Sequence, residues 1–233
     1  MERIDKIIAT QTIYSRKEVK KLIHQKRVLV NGELISKSDL KVDENNDKIE
    51  IDGIKINIKK HIYLMLHKPK GYISATEDPK TPTILDLLPK EYLHRNLFPA
   101  GRLDKDTTGL MIITDDEEFA HNILAPKKHI KKVYKVEIDI PINEIMINEF
   151  KNGVNLNDGI CKTAILEKID NKIAKVTLTE GRYHQIKRMF GCFGAKVINL
   201  ERIAMGNLLL PNNLKQGEFR ELTEKEINEI MKK

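Results

Sequence analysis

The residues with the clearest capacity for chemistry lie in one polar loop, residues 101–109, which begins and ends with glycine. The loop carries Arg102, Asp104 and Asp106 and leads directly into the apolar run of residues 110–113. A short apolar run of this kind is typical of a buried strand, so we expect the loop to be anchored on a rigid element. An arginine two residues before an aspartate can keep the carboxylate ionised, as a nucleophile or a base requires. The spacing alone fits a catalytic carboxylate and a solvated turn equally well.

The elements that must position this loop are mostly strands, with a few helices. Residues 62–66 form an apolar run, and apolar residues alternate with polar ones around Tyr134, and both patterns predict strands. Helices are predicted at residues 116–124 and 185–193, and a capping box at Thr223 opens a third. Because strands and helices do not alternate regularly, this part of the chain indicates an α+β fold with a mixed, largely antiparallel sheet.

Residues 1–60 predict a separate, small α/β unit, and residues 61–233 form the larger domain. Ser15 and Glu18 have the spacing of a capping box that opens a helix. An Asn-Gly and an Asp-Gly pair, each between apolar segments, predict two β-hairpins. The join between the two domains contains little glycine or serine, so we expect it to be only modestly flexible.

The charge of the chain favours a polyanionic partner. The formal net charge is +7 and the isoelectric point is about 9.2. Between residues 15 and 27 one acid, Glu18, accompanies six basic residues: Arg16, Lys17, Lys20, Lys21, Lys26 and Arg27. A helix face that is merely solvated gives the same pattern, so charge alone does not distinguish a surface that binds nucleic acid from one that only faces solvent.

The sequence lacks the marks of several other protein classes. Cys161 and Cys192 form no C-x-x-C pair, which argues against a zinc site or a disulfide framework and fits a reduced cytoplasm. The N-terminus has no apolar core of a signal peptide, and no apolar run approaches the ~20 residues of a membrane span. Phosphate-loop, dinucleotide and zinc-hydrolase motifs are absent, so we expect neither a cofactor nor a metal ion.

Four segments of the larger domain resemble motifs of the pseudouridine synthases, and most closely those of the RsuA-like branch. Residues 101–110 match GRLD-x-x-T-x-G-L, and residues 67–71 match N-K-P-x-G except that His67 replaces the asparagine. Residues 132–136 match K-x-Y-x-V, and residues 181–189 match G-R-x-H-Q-I-K-R-M. Separately, the N-terminal unit resembles the S-four-type RNA-binding module, in which the basic helix lies along RNA phosphates.

The resemblance implies roles for the charged residues of the loop and of the G-R-x-H-Q segment. Asp104 matches the essential catalytic aspartate, which acts at the ribose of the target uridine. Lys187 matches the cation that pairs with this aspartate, and Arg188 is a competitor for the same role. Arg102 either helps to keep the carboxylate ionised or holds the flipped-out nucleotide. Asp106 is expected to shape the loop by bonding to nearby backbone.

The resemblance also implies which residues contact the base and the RNA backbone. Tyr134 matches the tyrosine that lies over the target base, where an aromatic ring can stack on any nucleobase. Ile186 matches the apolar residue that lines the base pocket. Lys131 and Lys132 belong to a basic run that we expect to contact RNA.

The function implied by the resemblance is the isomerisation of a uridine to pseudouridine in 16S rRNA. We expect a cytoplasmic, monomeric isomerase whose partner is rRNA within an assembling small subunit, with no binding to DNA or membranes. Two alternatives remain: a synthase that acts on 23S rRNA of the large subunit, and a non-catalytic RNA-binding factor for ribosome assembly. The sequence also leaves open whether Asp104 attacks C1′ covalently or removes a proton from C2′.

Overall fold

The computed structural model describes residues 1–92 and 94–231, which divide into two compact units. The first unit contains Met1–Ile62 and also Leu88–Leu97, and the second contains Tyr63–Leu87 and Phe98–Lys233. No feature of the sequence predicts that Leu88–Leu97 lies with the first unit. The domain boundary drawn between residues 60 and 61 stays a prediction.

The first unit packs two helices on short strands. Its capping box is present, because Ser15 Oγ accepts from Glu18 N and the Glu18 carboxylate accepts from Ser15 N. Both predicted hairpins also form, and Asn31 and Asp52 adopt the left-handed backbone that their turns require. Isoleucine, leucine and valine side chains from both helices fill the core. The elements are β1 Glu2–Arg3, α1 Ile4–Gln11, α2 Arg16–His24, β2 Val28–Val30, β3 Glu33–Leu34, β4 Lys41–Val42, β5 Ile49–Ile51, β6 Ile54–Lys55 and the 3-10 helix Lys90–Tyr92.

The second unit is built on a mixed sheet, as predicted, in the order β13-β14-β10-β15-β9-β7-β17. Among the described strands, β9 and β15 pair in parallel and the other neighbours pair antiparallel. The strands are β7 Tyr63–Lys68, β8 Phe98–Pro99, β9 Thr108–Thr114, β10 Lys132–Ile138, β11 Asn155–Leu156, β12 Gly159–Ile160, β13 Ile165–Lys168, β14 Ile173–Leu178, β15 Val197–Met205, β16 Leu208–Leu209 and β17 Phe219–Glu221. The helices are α3 Glu117–Leu124, α4 Glu144–Asn152, α5 Gln185–Gly191 and α6 Glu224–Met231, with 3-10 turns at Ile84–Leu87 and Pro126–Lys128.

Strand β9 lies in the middle of this sheet, and all of its residues are buried. It carries the apolar run that the sequence predicted, with β7 on one side and β15 on the other. Gly109 has a φ of +109°, and a Cβ at this position would lie 2.3 Å from the carbonyl oxygen of Arg202. Only glycine therefore allows β9 to approach β15 so closely, and this approach fixes the start of the strand beside the polar loop.

The predicted helices of the second unit are present, with small differences at their ends. Asp116 caps α3, and Thr223 and Glu226 form the expected capping box at α6. Helix α5 ends at Gly191, two residues before the predicted end, where the chain turns through Gly194 with a φ of +71°. No helix within residues 1–92 and 94–231 is long and apolar enough to cross a membrane.

Candidate active site

A cavity of about 630 Å³ opens in the second unit, and the loop before β9 forms one of its walls. The other walls come from β10, from the segment after β14, and from the first turn of α5. These elements are far apart in sequence, and the strand order β14-β10-β15-β9 brings them to one region of the sheet, where β15 also lines the cavity. The residues predicted for catalysis and for the base pocket all line the cavity except Arg188: Arg102, Asp104, Tyr134, Ile186 and Lys187.

Asp104 lies beside Lys187, with 3.2 Å between Oδ2 and Nζ. The same ammonium contacts Asp106 Oδ1 at 2.6 Å, so one lysine bridges both acids of the loop. Burial lowers the pKa of Lys187, but the hydrogen bonds to Asp106 and Asp104 outweigh it and the pKa is raised overall. Lys187 therefore stays charged at neutral pH. Asp106 accepts a hydrogen bond from nearby backbone, as expected, and its carboxylate also pairs with Lys187.

His184 contacts the other oxygen of the Asp104 carboxylate, opposite the one that faces Lys187. Its Nε2 lies 3.5 Å from Asp104 Oδ1, close enough for an ion pair when the ring is protonated. His184 immediately precedes α5 and has a φ of +48°, a left-handed conformation that is uncommon for a residue with a side chain. The Asp104 side chain is 28% exposed, so it can still meet a ligand in the cavity.

The side chain of Lys68, at the end of β7, fixes the backbone of the loop. Its Nζ donates to the carbonyl oxygens of Thr107 at 2.8 Å and Asp104 at 3.0 Å, and more weakly to that of Lys105. The Lys68 side chain is fully buried, and burial lowers its pKa to about 8. The Ser74 hydroxyl fixes the loop at a second point, since it donates to the carbonyl of Leu103 and accepts from the N–H of the same residue. The loop is thus fixed by side chains from outside it.

Two cations without a carboxylate partner among the described residues face the cavity from β10 and β15. Arg202 is 1% exposed, and its Nε donates to the carbonyl of Leu110 at 2.7 Å. The Lys132 side chain has no hydrogen bond or ion pair with any residue that the structure describes, and burial together with the charge of Arg202 lowers its pKa to about 8. Tyr134 pairs with Arg202 across the two strands and lies two residues from Lys132. This part of the cavity suits a ligand with negative charge or carbonyl oxygens.

The structure separates the two competitors for the pairing with Asp104. Lys187 reaches the carboxylate, whereas the guanidinium of Arg188 pairs with Asp158 and does not line the cavity. Lys131 also lies outside the cavity and is exposed. Lys132, which we expected to contact RNA, is a half-buried residue of the cavity wall, and its contact with RNA stays a prediction.

The motif residue that departs from the family pattern has a structural role. His67 Nδ1 lies 2.8 Å from the carbonyl of Leu214, and its Nε2 lies 3.0 Å from Glu201 Oε1. These contacts tie β7 to β15 and to the segment before β17. His67 therefore stabilises the sheet and does not contact the cavity.

The basic residues of the first unit fall into two groups. Arg16 Nη2 pairs with the buried Asp5 at 3.2 Å, and Arg27 Nε donates to Asp52 at 2.8 Å. These two arginines therefore stabilise the unit itself. The remaining four side chains are exposed and have no hydrogen-bond or ion-pair partner among the described residues: Lys17, Lys20, Lys21 and Lys26.

Sequence reasoning missed three residues that the structure places at the site. From the sequence, Lys68 is only part of a turn and His184 is a motif residue without a role. Arg202 lies in residues 200–206, which resemble the family's L-x-R-x-x-x-G pattern, but that match gives it no role. In each case the signal was a polar side chain inside a short motif, but its partner lies more than 30 residues away, so sequence spacing gave no sign of the contact.

Comparison with known proteins agrees with this geometry. Residues 62–191 match the RNA pseudouridylate synthase family, and residues 2–49 match the S4 domain. A protein of Aquifex aeolicus named as an uncharacterized RNA pseudouridine synthase is 41% identical over 229 residues, which cover 98% of this chain and 95% of that protein. The ribosomal small subunit pseudouridine synthase A of Escherichia coli K12 is 39% identical over 233 residues, 98% of this chain and 100% of the relative.

A solved structure gives the same result for the fold. The crystal structure of a pseudouridylate synthase superposes with a TM-score of 0.70 and 36% sequence identity, covering 99% of this chain and 100% of that chain. The fold class and the family expected from the sequence are therefore confirmed. This chain belongs to the RNA pseudouridylate synthase family and is an isomerase of the RsuA type.

Proposed function

We propose that this synthase converts one uridine of 16S rRNA to pseudouridine, with Asp104 acting at the ribose. The observation that carries the proposal is the Asp104 carboxylate, held 3.2 Å from the charged Lys187 in a cavity of about 630 Å³. The choice of rRNA rests on the full-length similarity to the small-subunit synthase of Escherichia coli. Since small subunits are assembled in the cytoplasm, we place the reaction there.

The reaction breaks the bond between N1 and C1′, turns the base, and forms a bond between C5 and C1′. The product has the same atoms as the substrate, so no oxidant, reductant or group donor is consumed. The reacting atoms lie inside stacked RNA, so the uridine must first be extruded into the cavity. A cavity of about 630 Å³ lies within the usual range for sites that enclose a small ligand.

Asp104 is the group that reaches the sugar. As a carboxylate it either attacks C1′ or removes the proton from C2′, and both routes need it ionised. Lys187 places a positive charge 3.2 Å from this carboxylate and is itself held charged by its hydrogen bonds to Asp106 and Asp104. Lys68 fixes the loop backbone, so the carboxylate needs little reorganisation when the substrate enters.

The target base would lie between Tyr134 and Ile186, which line the cavity on β10 and α5. The tyrosine ring supplies a stacking surface, and the isoleucine excludes water from one side of the base. Arg202 and Lys132 are then available to the base carbonyls or to the nearest phosphate. Arg102, exposed and without a partner among the described residues, contacts the RNA at the cavity entrance.

The first unit supplies affinity without reading sequence. Its four unpaired lysines can neutralise phosphates, which strengthens binding at low salt. A purely RNA-binding assembly factor would need such a surface but would have no use for the assembled Asp104–Lys187 pair. A 23S rRNA synthase of the same family would use the same chemistry, so the RNA itself must be tested.

The test is a map of pseudouridine by chemical labelling in rRNA from cells with and without the gene. One 16S position should lose its label without the gene and regain it on complementation with the wild-type gene. Complementation with Asp104→Asn should not restore the label. Loss of a 23S position would move the substrate to the large subunit, and an unchanged map in both RNAs would contradict the proposal.

A further inference from the structure

One aromatic side chain at the cavity is exposed instead of buried. Tyr183 lines the cavity yet is 76% exposed, and the other tyrosine and phenylalanine side chains that the structure describes are buried or half-buried. Sequence reasoning gave it no role, because it occupies the variable position of the G-R-x-H-Q motif. A large exposed ring beside a functional cavity is a candidate contact for a ligand.

The ring of Tyr183 is held in place although it is exposed. It stacks on the ring of His184, with centroids 3.8 Å apart and planes inclined by 18°. The carbonyl of Tyr183 accepts from Arg188 Nη1 at 3.1 Å, and Arg188 is fixed in turn by Asp158. One face of the tyrosine is therefore covered by His184, and the high exposure leaves the opposite face open to solvent.

The position of this stacked pair links it to the chemistry. His184 lies 3.5 Å from the Asp104 carboxylate, so the pair extends from the reacting group to the mouth of the cavity. Two exposed cationic side chains also line the cavity and can meet phosphates on either side of a bound nucleotide: Arg102 and Lys105. An RNA strand that places one nucleotide in the cavity must run past this rim.

We propose that the open face of Tyr183 stacks on the nucleobase of a nucleotide that flanks the target uridine. Extrusion of the uridine removes a stacking partner from each neighbouring base and exposes its apolar face. A rigid aromatic ring at the cavity mouth replaces one of these partners at little cost in conformational entropy, because the tyrosine is already ordered. The inference rests on the proposed function for the identity of the extruded nucleotide.

The test compares Tyr183→Phe with Tyr183→Leu, since phenylalanine keeps the ring and leucine keeps only apolar bulk. On 16S rRNA, the leucine variant should raise KM by about 5- to 140-fold with a smaller change in kcat, the range expected when one base stack is removed. The phenylalanine variant should stay close to wild type. Leu209→Ala is the matched control, because Leu209 is 67% exposed in the same unit and does not line the cavity. Thermal unfolding of each variant shows whether it is folded.

A second readout needs no chemistry and separates this inference from the proposed function. The probe is a short single-stranded oligouridylate that carries one fluorescent 2-aminopurine, bound to Asp104→Asn protein with tyrosine, phenylalanine or leucine at position 183. Stacking should quench the probe with the two aromatic residues and not with leucine. Equal quenching in all three proteins, or an unchanged KM for Tyr183→Leu, would contradict the stacking of Tyr183 on a flanking base, even if 16S rRNA is the substrate. If no 16S uridine is modified, quenching that depends on the ring at position 183 would still support this stacking.

Discussion

Replacing the four unpaired lysines of the first unit with glutamine should weaken RNA binding and flatten its dependence on salt. These residues are Lys17, Lys20, Lys21 and Lys26. Removing one phosphate contact reduces the slope of log affinity against log salt by about 0.7 to 0.9, so removing four gives a reduction of about 3 to 3.5. The sequence alone would predict a larger effect, from six cations. We leave Arg16 and Arg27 out of that count because their charges are already paired with Asp5 and Asp52, and their contact with RNA stays a prediction.

Binding to a 16S rRNA fragment should be measured from low to moderate salt for wild type, the four-lysine variant and an Arg16→Gln/Arg27→Gln control. The lysine variant should stay folded, since glutamine and lysine have similar helix propensities and none of these lysines is buried. The arginine control should keep most of the salt slope and lose stability, because it breaks the contact of Arg16 with the buried Asp5. An unchanged slope in the lysine variant, or an equal reduction in the arginine control, would refute the assignment of phosphate contacts.

Three further predictions concern the second unit. Tyr134→Phe should keep most of the activity and Tyr134→Ala should lose it if stacking is the role of the ring, whereas full activity in both would remove Tyr134 from the site. Lys68→Met should lower the free energy of unfolding by about 1–3 kcal/mol and reduce kcat, because buried loop carbonyls lose their donor; urea unfolding and single-turnover rates would check this. In the wild type, kcat should fall as the pH rises through about 8, because burial lowers the pKa of Lys68 to that value and the neutral amine has one donor fewer. The free energy of unfolding should rise between about pH 8 and the ordinary lysine pKa of 10.5. In that range the unfolded chain binds the proton at Lys68 and the folded chain does not. A parallel decline of kcat and of stability would contradict this account.

Features encoded by neighbouring residues were predictable from the sequence. The capping boxes at Ser15 and Thr223 and the two hairpin turns depend on contacts within a few residues, and all are present. The buried strand after the polar loop was also predicted, because its apolar run is continuous. The mixed sheet followed from the irregular order of strands and helices.

Features that depend on tertiary contacts were not predictable. The choice between Lys187 and Arg188 depends on which side of α5 faces the loop. Consecutive residues of a helix point about 100° apart, so only one of the two can reach Asp104. The anchoring of the loop by Lys68 joins β7 to carbonyls more than 35 residues later in the chain. The burial of Arg202 depends on Gly109, where the absence of a side chain lets β9 and β15 meet. The catalytic roles assigned to these residues stay predictions.

The most direct measurement of the central claim is pseudouridine formation on 16S rRNA by purified Asp104→Asn protein, with Asp106→Asn as the matched control. Both substitutions remove a carboxylate that contacts Lys187, but only Asp104 also contacts His184 and lines the cavity. We expect Asp104→Asn to form no detectable pseudouridine while keeping the fold and the RNA affinity, and Asp106→Asn to retain measurable conversion. Activity of Asp104→Asn within about tenfold of wild type, a barrier change of only ~1.4 kcal/mol, would contradict the assignment of Asp104 as the catalytic group.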